Sequence, residues 1–337
     1  MKREKPDYII HCGDIAHTKT QISPEFVEIC SDFFKNLAEI APTYIILGNH
    51  DGNLRNKSRQ DAISPIVDAL GIANLHLIKN AAKIRLPEPF TLNVLSIFDE
   101  DNWDLTQDPD RINIALYHGA VKGSKTDVGY VIEHGDVEIE DLKKFDYGFL
   151  GDIHKTNQRI DRKGKIRYAG STVQQNFGET DDKGFLIWEI EDKNKFSVRH
   201  ILLENPKPFV TIKLTKKGKI PKSANPKAGA RIRLVSESNI TLDVLKKAIE
   251  DAKIDFKAES VTHLSKAELA KKRVDLEDSE VENLRDVEVQ KKLMKEYLED
   301  FEVEDDIMDK IVELNAKYNS LVESSDEQLR NLNWKMK

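Results

Sequence analysis

Four short apolar runs in the first half of the chain each end on a glycine beside aspartate, asparagine or histidine. This recurrence constrains the fold more than any other feature. Asp7-Tyr-Ile-Ile-His-Cys12 runs into Gly13-Asp14, and Thr43-Tyr-Ile-Ile-Leu47 runs into Gly48-Asn49-His50-Asp51. Ile112 to Tyr117 ends at His118-Gly119, and Tyr147 to Leu150 ends at Gly151-Asp152-Ile153-His154. Runs of this length and composition read as buried strands. Ligands of open α/β folds collect beyond the carboxyl ends of strands, where these residues fall. A lone histidine is by default a core or surface residue; four strand ends that all offer Asp, Asn or His are not easily accidental. Oxygen and imidazole donors without thiolate suit Mn²⁺, Fe²⁺ or Zn²⁺ and do not build a structural zinc cage. A carboxylate can bridge two such ions ~3.5–4 Å apart, and the adjoining glycines allow tight turns around them.

Around these runs the pattern alternates strand and helix. Pro24 to Ile40 carries Phe26, Ile29, Cys30, Phe33, Phe34 and Leu37 at helical spacing, with Ser23 as N-cap; Asp61 to Leu70 also reads as helix. Further strands are expected at Leu75–Ile78, Thr91–Ile97, Ile166–Ala169, Phe185–Ile190 and Val198–Leu203. Early βαβ units followed by many strands predict an α/β (α+β) chain, a mixed two-sheet sandwich with helices outside. Composition shifts at Asn205-Pro-Lys-Pro208, which divides a core over 1–205 from a small α/β module over 206–264. That module is expected to hold strands at Val210–Leu214, Ala230–Val235 and Phe256–Val261 and a helix at Leu242–Ala252. Beyond it, 265–337 reads as a charged helical segment. Its apolar positions Ile307, Ile311, Leu314, Tyr318 and Leu321 recur at spacings of four and three, as in a seam that folds back or meets a partner helix.

Charge and composition set limits. No stretch approaches the ~20 apolar residues of a membrane span, and Met1-Lys2-Arg3-Glu4-Lys5-Pro6 has no apolar run behind it, so it reads as no signal peptide. A net charge of −7 argues against bulk electrostatic coating of nucleic acid. A local cationic run remains: Lys207, Lys213, Lys216, Lys217, Lys219, Lys222, Lys227, Arg231 and Arg233, with no acid between them. It is either a solvated surface or a phosphate-contacting patch. Cys12 and Cys30 lack metal-type spacing and read as free thiols in a reducing compartment such as the cytoplasm.

Taken together, Gly13-Asp14, Gly48-Asn49-His50-Asp51, His118-Gly119 and Gly151-Asp152-Ile153-His154 resemble the second to fifth motifs of the calcineurin-like metallophosphoesterases. Within that superfamily the sequence is most similar to the SbcD-type nuclease of double-strand-break repair. The resemblance is carried by Gly13-Asp-Ile-Ala-His-Thr-Lys19, Phe149-Leu-Gly-Asp-Ile-His-Lys155, Tyr168-Ala-Gly-Ser171-Thr172, Phe177-Gly-Glu179 and Lys183-Gly-Phe185. It covers residues 7 to about 260 and implies a capping domain after the core. It further implies two divalent ions, Mn²⁺ foremost with Fe²⁺, Mg²⁺ or Zn²⁺ as alternatives, and hydrolysis of DNA phosphodiesters. Asp14 would bridge the ions; Asn49, His118 and Asp152 would complete one site and His154 would belong to the other. His50 would stabilise charge or protonate the leaving oxygen. The implied partners are DNA, an SMC-like ATPase of the SbcC type docked on a segment such as Met294 to Leu321, and a second copy of the chain. His17 suits either substrate contact or a plain exposed loop; His11, His134 and His263 read as structural or incidental.

Two departures bear on this expectation. Relatives open with a strand ending in Asp-x-His ahead of the Gly-Asp motif, and no Asp-x-His precedes Gly48 here. One ion is then left with Asp14 and His154. The expectation is an incomplete copy of a nuclease, with a one-metal, catalytically impaired subunit as the alternative. Asp152 also stands where many relatives carry histidine, which adds negative charge at that ligand. A small-molecule phosphodiesterase or phosphomonoesterase on the same core is a further alternative, since metal ligands do not choose the substrate.

Overall fold

The computed structural model describes residues 1–17, 22–133, 135, 137–237, 240–269 and 310. Ile9–His11 forms strand β1, Pro24–Ala38 helix α1, Thr43–Ile46 strand β2, Ser64–Leu70 helix α2 and Leu75–Ile78 strand β3. The three strands pair in parallel in the order β1-β2-β3. Helix α1 begins where its sequence signals place it: the Ser23 hydroxyl accepts the Phe26 N–H at 3.2 Å, with Pro24 and Glu25 in the first turn. Its buried stripe is Cys30, Phe34, Leu37 and Ala38. The second helix starts at Ser64 rather than Asp61. The Asp61 carboxylate accepts the Ile63 and Ser64 N–H groups and the Ser64 hydroxyl, so it closes the turn ahead of the helix instead of joining it.

A six-stranded sheet follows, built from β4 (Ala82–Arg85), β5 (Phe90–Leu95), β6 (Ile112–His118), β7 (Tyr147–Gly151), β8 (Gln158–Arg159) and β9 (Ile166–Tyr168), with the short helix α3 (Ile139–Leu142) between β6 and β7. Its order is β4-β5-β6-β7-β9-β8. The four central strands run parallel and the two margins antiparallel. Sequence reading missed both margins: β4 alternates Ala-Lys-Ile-Arg and exposes both cations, and β8 has two residues. Strands β10 (Gly184–Ile190) and β11 (Phe196–Leu202) pair as a separate antiparallel hairpin.

Side-chain alternation along β6 shows how the layers stack. Ile112, Ile114 and Leu116 pack with Ile46, Leu92, Val94 and Tyr147, joined by Ile10 and Tyr44 of the first sheet and Trp188 and Phe196 of the hairpin. Ala115 and Tyr117 face the other way, onto Val121, Val137, Leu142, Phe145 and Ile153. The far side of the first sheet is covered by α1 and α2 through Cys30, Phe34, Ile63 and Ile66 against Ile45 and Leu47. Mixed α/β layering with several sheets and few helices is the expected sandwich, and near-continuous apolar runs in β2 and β6 follow from burial on both faces.

The small module contains β12 (Phe209–Lys213), β13 (Arg231–Ser236), helix α4 (Leu242–Asp255) and β14 (Ser260–Ser265), with sheet order β12-β13-β14. The strand expected from Phe256 begins four residues later. Helix α4 runs past Ala252 to Asp255, and the Phe256 N–H closes it on the Ala252 carbonyl. Residues 1–234 and 241–263 form one compact unit, and the described residues 235–237, 240 and 264–269 belong to a second. In the second unit Lys266 pairs with Glu237. The helical seam at 307–321 and the segment Met294 to Leu321 lie outside the described residues apart from Lys310. Among the described residues no helix is long and apolar enough to cross a membrane.

Candidate metal centre

Parallel register brings the ligand-bearing loops to one end of the sandwich. β6 and β7 pair His118 with Gly151, so Asp152 follows directly beside His118. β1 and β2 pair His11 with Ile45, which sets Gly13-Asp14 beside Gly48-Asn49. The Asp14 Oδ2, His118 Nε2 and Asp152 Oδ1 atoms then converge. His118 Nε2 lies 3.3 Å from Asp14 Oδ2, 3.8 Å from Asp152 Oδ1 and 3.4 Å from Asn49 Oδ1. The Asp14, His118 and Asp152 ligand atoms all lie within 4.8 Å of one another, as a single ion requires.

The loops are held at that separation by exact backbone fits. A Cβ on Gly48 would stand 2.2 Å from Asp14 Oδ1, and one on Gly151 would stand 2.0 Å from the Cys12 carbonyl oxygen. Asp14 and Asp152 both adopt left-handed backbone, φ +56° and +93°. Such conformations cost a non-glycine residue about 1–3 kcal/mol and persist only where the surroundings over-determine them.

Asp51 supplies much of that determination. It is fully buried and accepts four backbone N–H groups at 2.8 Å: Asp14 and Gly48 on Oδ2, Ile15 and Ala16 on Oδ1. It therefore ties the Asp14 turn to the Gly48 turn without itself facing the cluster. Burial pushes its carboxyl above the usual range, and the N–H donors offset this only in part. Sequence reading gave Asp51 no role; the only signal was its place at the end of Gly48-Asn49-His50-Asp51.

The donor set fits a divalent cation. His118 is buried, and its Nδ1 lies 2.6 Å from the Cys12 carbonyl, which can only accept; Nδ1 thus carries the proton and Nε2 presents a lone pair. That lone pair faces two carboxylates and an amide oxygen, an arrangement that repels itself unless a proton or a cation sits among them. Burial alone would lower the His118 pKa, but the Asp14 hydrogen bond and charge, with Asp152, raise it. Asp14 shows the reciprocal effect: burial opposes ionisation, and the His118 contact outweighs it and lowers its pKa.

The other expected residues surround this cluster. The His50 N–H donates to Asp14 Oδ1 at 2.9 Å, and its ring Nδ1 lies 2.9 Å from the His17 carbonyl. The His50 and His17 rings stack at 5.8 Å, both exposed. His154 is not one of the three convergent ligands; its Nδ1 meets Glu179 Oε1 at 2.9 Å. That hydrogen bond raises the His154 pKa against partial burial. In the sequence Glu179 stands only within the resemblance motif Phe177-Gly-Glu179, which assigns it no role. Burial would raise its carboxyl, but His154, the Gln175 N–H and Lys183 hold it below the usual range. His11 packs edge-on against Phe33, and burial drives its pKa down to about 4, so it is neutral. His134 lies outside the described residues. Both cysteines are free, their thiols pushed up to about 12 by burial, although Cys12 is only half-buried.

The cationic run is partly spent internally. Lys207 pairs with Glu259 and Lys227 with Glu204, while Arg231 and Arg233 lie over the Phe209 and Phe177 rings at 4.9 and 4.0 Å. Lys213, Lys216, Lys217, Lys219 and Lys222 are exposed, and they are the part of the run left facing solvent.

Residues 1–156 match the calcineurin-like phosphoesterase family, a stretch that contains all four donor-bearing strand ends. An uncharacterized protein of Acanthamoeba polyphaga mimivirus is 37% identical over 242 residues, covering 68% of this chain and 17% of that protein. The "Putative phosphoesterase 244L" of Invertebrate iridescent virus 6 is 26% identical over 200 residues, covering 55% of this chain and 65% of its own length. The chain thus spans less than two thirds of each of these relatives.

Proposed function

We propose that this chain is a divalent-metal-dependent phosphodiesterase whose substrate is DNA. The observation that carries the reading is the convergence of Asp14, His118 and Asp152, with Asn49, at the carboxyl ends of parallel strands. These four residues would hold one ion; Asp14 and His154 would contribute to a second, of which Mn²⁺ is the preferred identity. A bound divalent ion supplies Lewis-acid polarisation of the phosphoryl group and a lowered pKa for water at neutral pH. The chain's own residues then have separate tasks. Asp14 and Asp152 are fixed in strained turns, so their carboxylates need no reorganisation when charge develops. His50 is anchored at both its N–H and its Nδ1, which leaves Nε2 to meet a phosphate oxygen or give a proton to the leaving oxygen.

Five exposed lysines of the small module support a polymeric anion as substrate, because a single phosphate needs no cationic run outside the centre. The proposed partner is an SMC-like ATPase that takes up the apolar seam of the carboxy-terminal segment; deletion of residues 285–337 is expected to abolish co-purification with it. The decisive assay compares duplex DNA with a small chromogenic phosphodiester in Mn²⁺. DNA cleavage that Asp14→Ala abolishes supports the reading. Hydrolysis of the small ester alone assigns the chain to small-molecule phosphodiesterases, and full activity in Asp14→Ala removes the centre from the chemistry.

A further inference from the structure

The geometry points to Glu179 as the positioning residue of His154, fixing which ring nitrogen that histidine offers to the metal centre. This deepens the phosphoesterase reading and depends on it for the role of the ion, though not for the state of the ring. His154 follows β7 two residues after Asp152, and its Nδ1 lies 2.9 Å from Glu179 Oε1. Among the described residues, its other hydrogen-bond and ion-pair partners are donors. Asn176 Nδ2 reaches Oε1 at 2.9 Å, the Gln175 N–H reaches Oε2 at 3.0 Å, and Lys183 Nζ stands 3.4 Å from Oε2. A carboxyl surrounded by donors is ionised and can only accept, so the proton of the His154 contact belongs to Nδ1. Nε2 is the nitrogen left to act. Neutral imidazole in water favours the opposite tautomer, so Glu179 sets a form the free side chain would not choose.

The support behind Glu179 is itself buried. Lys183 is 1% exposed and bonds Asp127 Oδ2 and the His154 carbonyl oxygen, each at 2.8 Å. One cation therefore holds the backbone of the histidine, neutralises the carboxylate that orients its ring, and ties both to the loop after β6. The Gln174 side-chain amide adds a bond to the Glu179 carbonyl and another to the Phe209 carbonyl, fixing the same turn from the small module. His118 presents the matching arrangement, with Nδ1 on a carbonyl and Nε2 toward the ligands. The acceptors differ: a carboxylate raises the basicity of the distal nitrogen more than a neutral carbonyl does. Outer partners of this kind commonly change metal affinity about 10- to 100-fold when removed.

The test uses the full chain labelled with ¹⁵N-histidine, metal-free and at alkaline pH, with His154 assigned through His154→Gln. Imidazole ¹⁵N shifts should show His154 protonated on Nδ1 in the wild type. Glu179→Gln, which keeps an acceptor oxygen, should retain that tautomer largely intact. Glu179→Ala should return the ring to Nε2–H and weaken Mn²⁺ binding, measured calorimetrically, by about 10- to 100-fold. A wild-type ring protonated on Nε2 overturns the inference. So does an Ala variant with an unchanged tautomer and Mn²⁺ affinity, which would leave the network as a loop fastener. If the tautomer responds as expected but the wild type binds no Mn²⁺, positioning stands and the phosphoesterase reading falls.

Discussion

Replacing Asp51 with alanine should remove metal binding without touching a ligand. The side chain accepts four backbone N–H groups at 2.8 Å, two of them, from Ala16 and Gly48, fully buried. An unsatisfied buried donor costs about 1–3 kcal/mol, so those two account for ~2–6 kcal/mol. The partly buried donors of Asp14 and Ile15 can turn to water and add about 0.5–1.5 kcal/mol each. Relief of the cost of burying a carboxylate works the other way, and the net expectation is a loss of about 3–5 kcal/mol. Against a typical total of ~5–15 kcal/mol, the variant should fold but marginally. The Asp14 turn, strained at φ +56° and no longer pinned, should relax and withdraw its carboxylate from His118. Urea unfolding of the metal-free protein measures the first effect and Mn²⁺ calorimetry the second. Asp51→Asn, with one acceptor oxygen for two of the four donors, should fall between. A metal-free Asp51→Ala protein within about 1 kcal/mol of the parent, binding Mn²⁺ normally, would refute the clamp.

Asp14→Gly should abolish Mn²⁺ binding yet leave stability within about 1 kcal/mol of the parent, because glycine accepts φ +56° without the left-handed penalty; calorimetry and thermal melting check the two halves. The pH response of the centre follows from His118, whose folded pKa is raised. Its protonation stabilises the metal-free fold below that pKa, and the contribution is lost as pH rises through it. Mn²⁺ needs the deprotonated ring, so the rise in Tm on adding Mn²⁺ should grow with pH across that window, and a flat response would contradict it. Changing Lys213, Lys217 and Lys219 to glutamine should weaken DNA binding uniformly across sequences and flatten its log–log salt slope by about one per lysine. An unchanged slope would count against these lysines as a DNA contact.

The strands, their order of appearance and the donor residues at their ends were legible in the chain, because each depends on local pattern. An apolar run followed by glycine and a donor residue is a statement about neighbours in sequence, and β1, β2, β6 and β7 formed where those runs lie. The margins β4 and β8 were not legible, since their pairing depends on a neighbouring strand and their residues look like loop. The end of α4 likewise depended on a Phe256 cap that helical periodicity does not announce.

Tertiary structure alone decided which donors converge and what holds them. His118 meets Asp152 because β6 and β7 are parallel and in register, and His154, two residues further on, turns instead to a carboxylate 25 residues away. Asp51 and Glu179 each join near neighbours to one distant stretch, Asp14 to Ala16 for the first and His154 for the second, and an acceptor carries no mark of such distant donors in its residue type. The sequence by itself determined a set of metal-type side chains at strand ends; their separation, tautomers and charge balance arose only from long-range packing, because those are properties of pairs brought together by the fold.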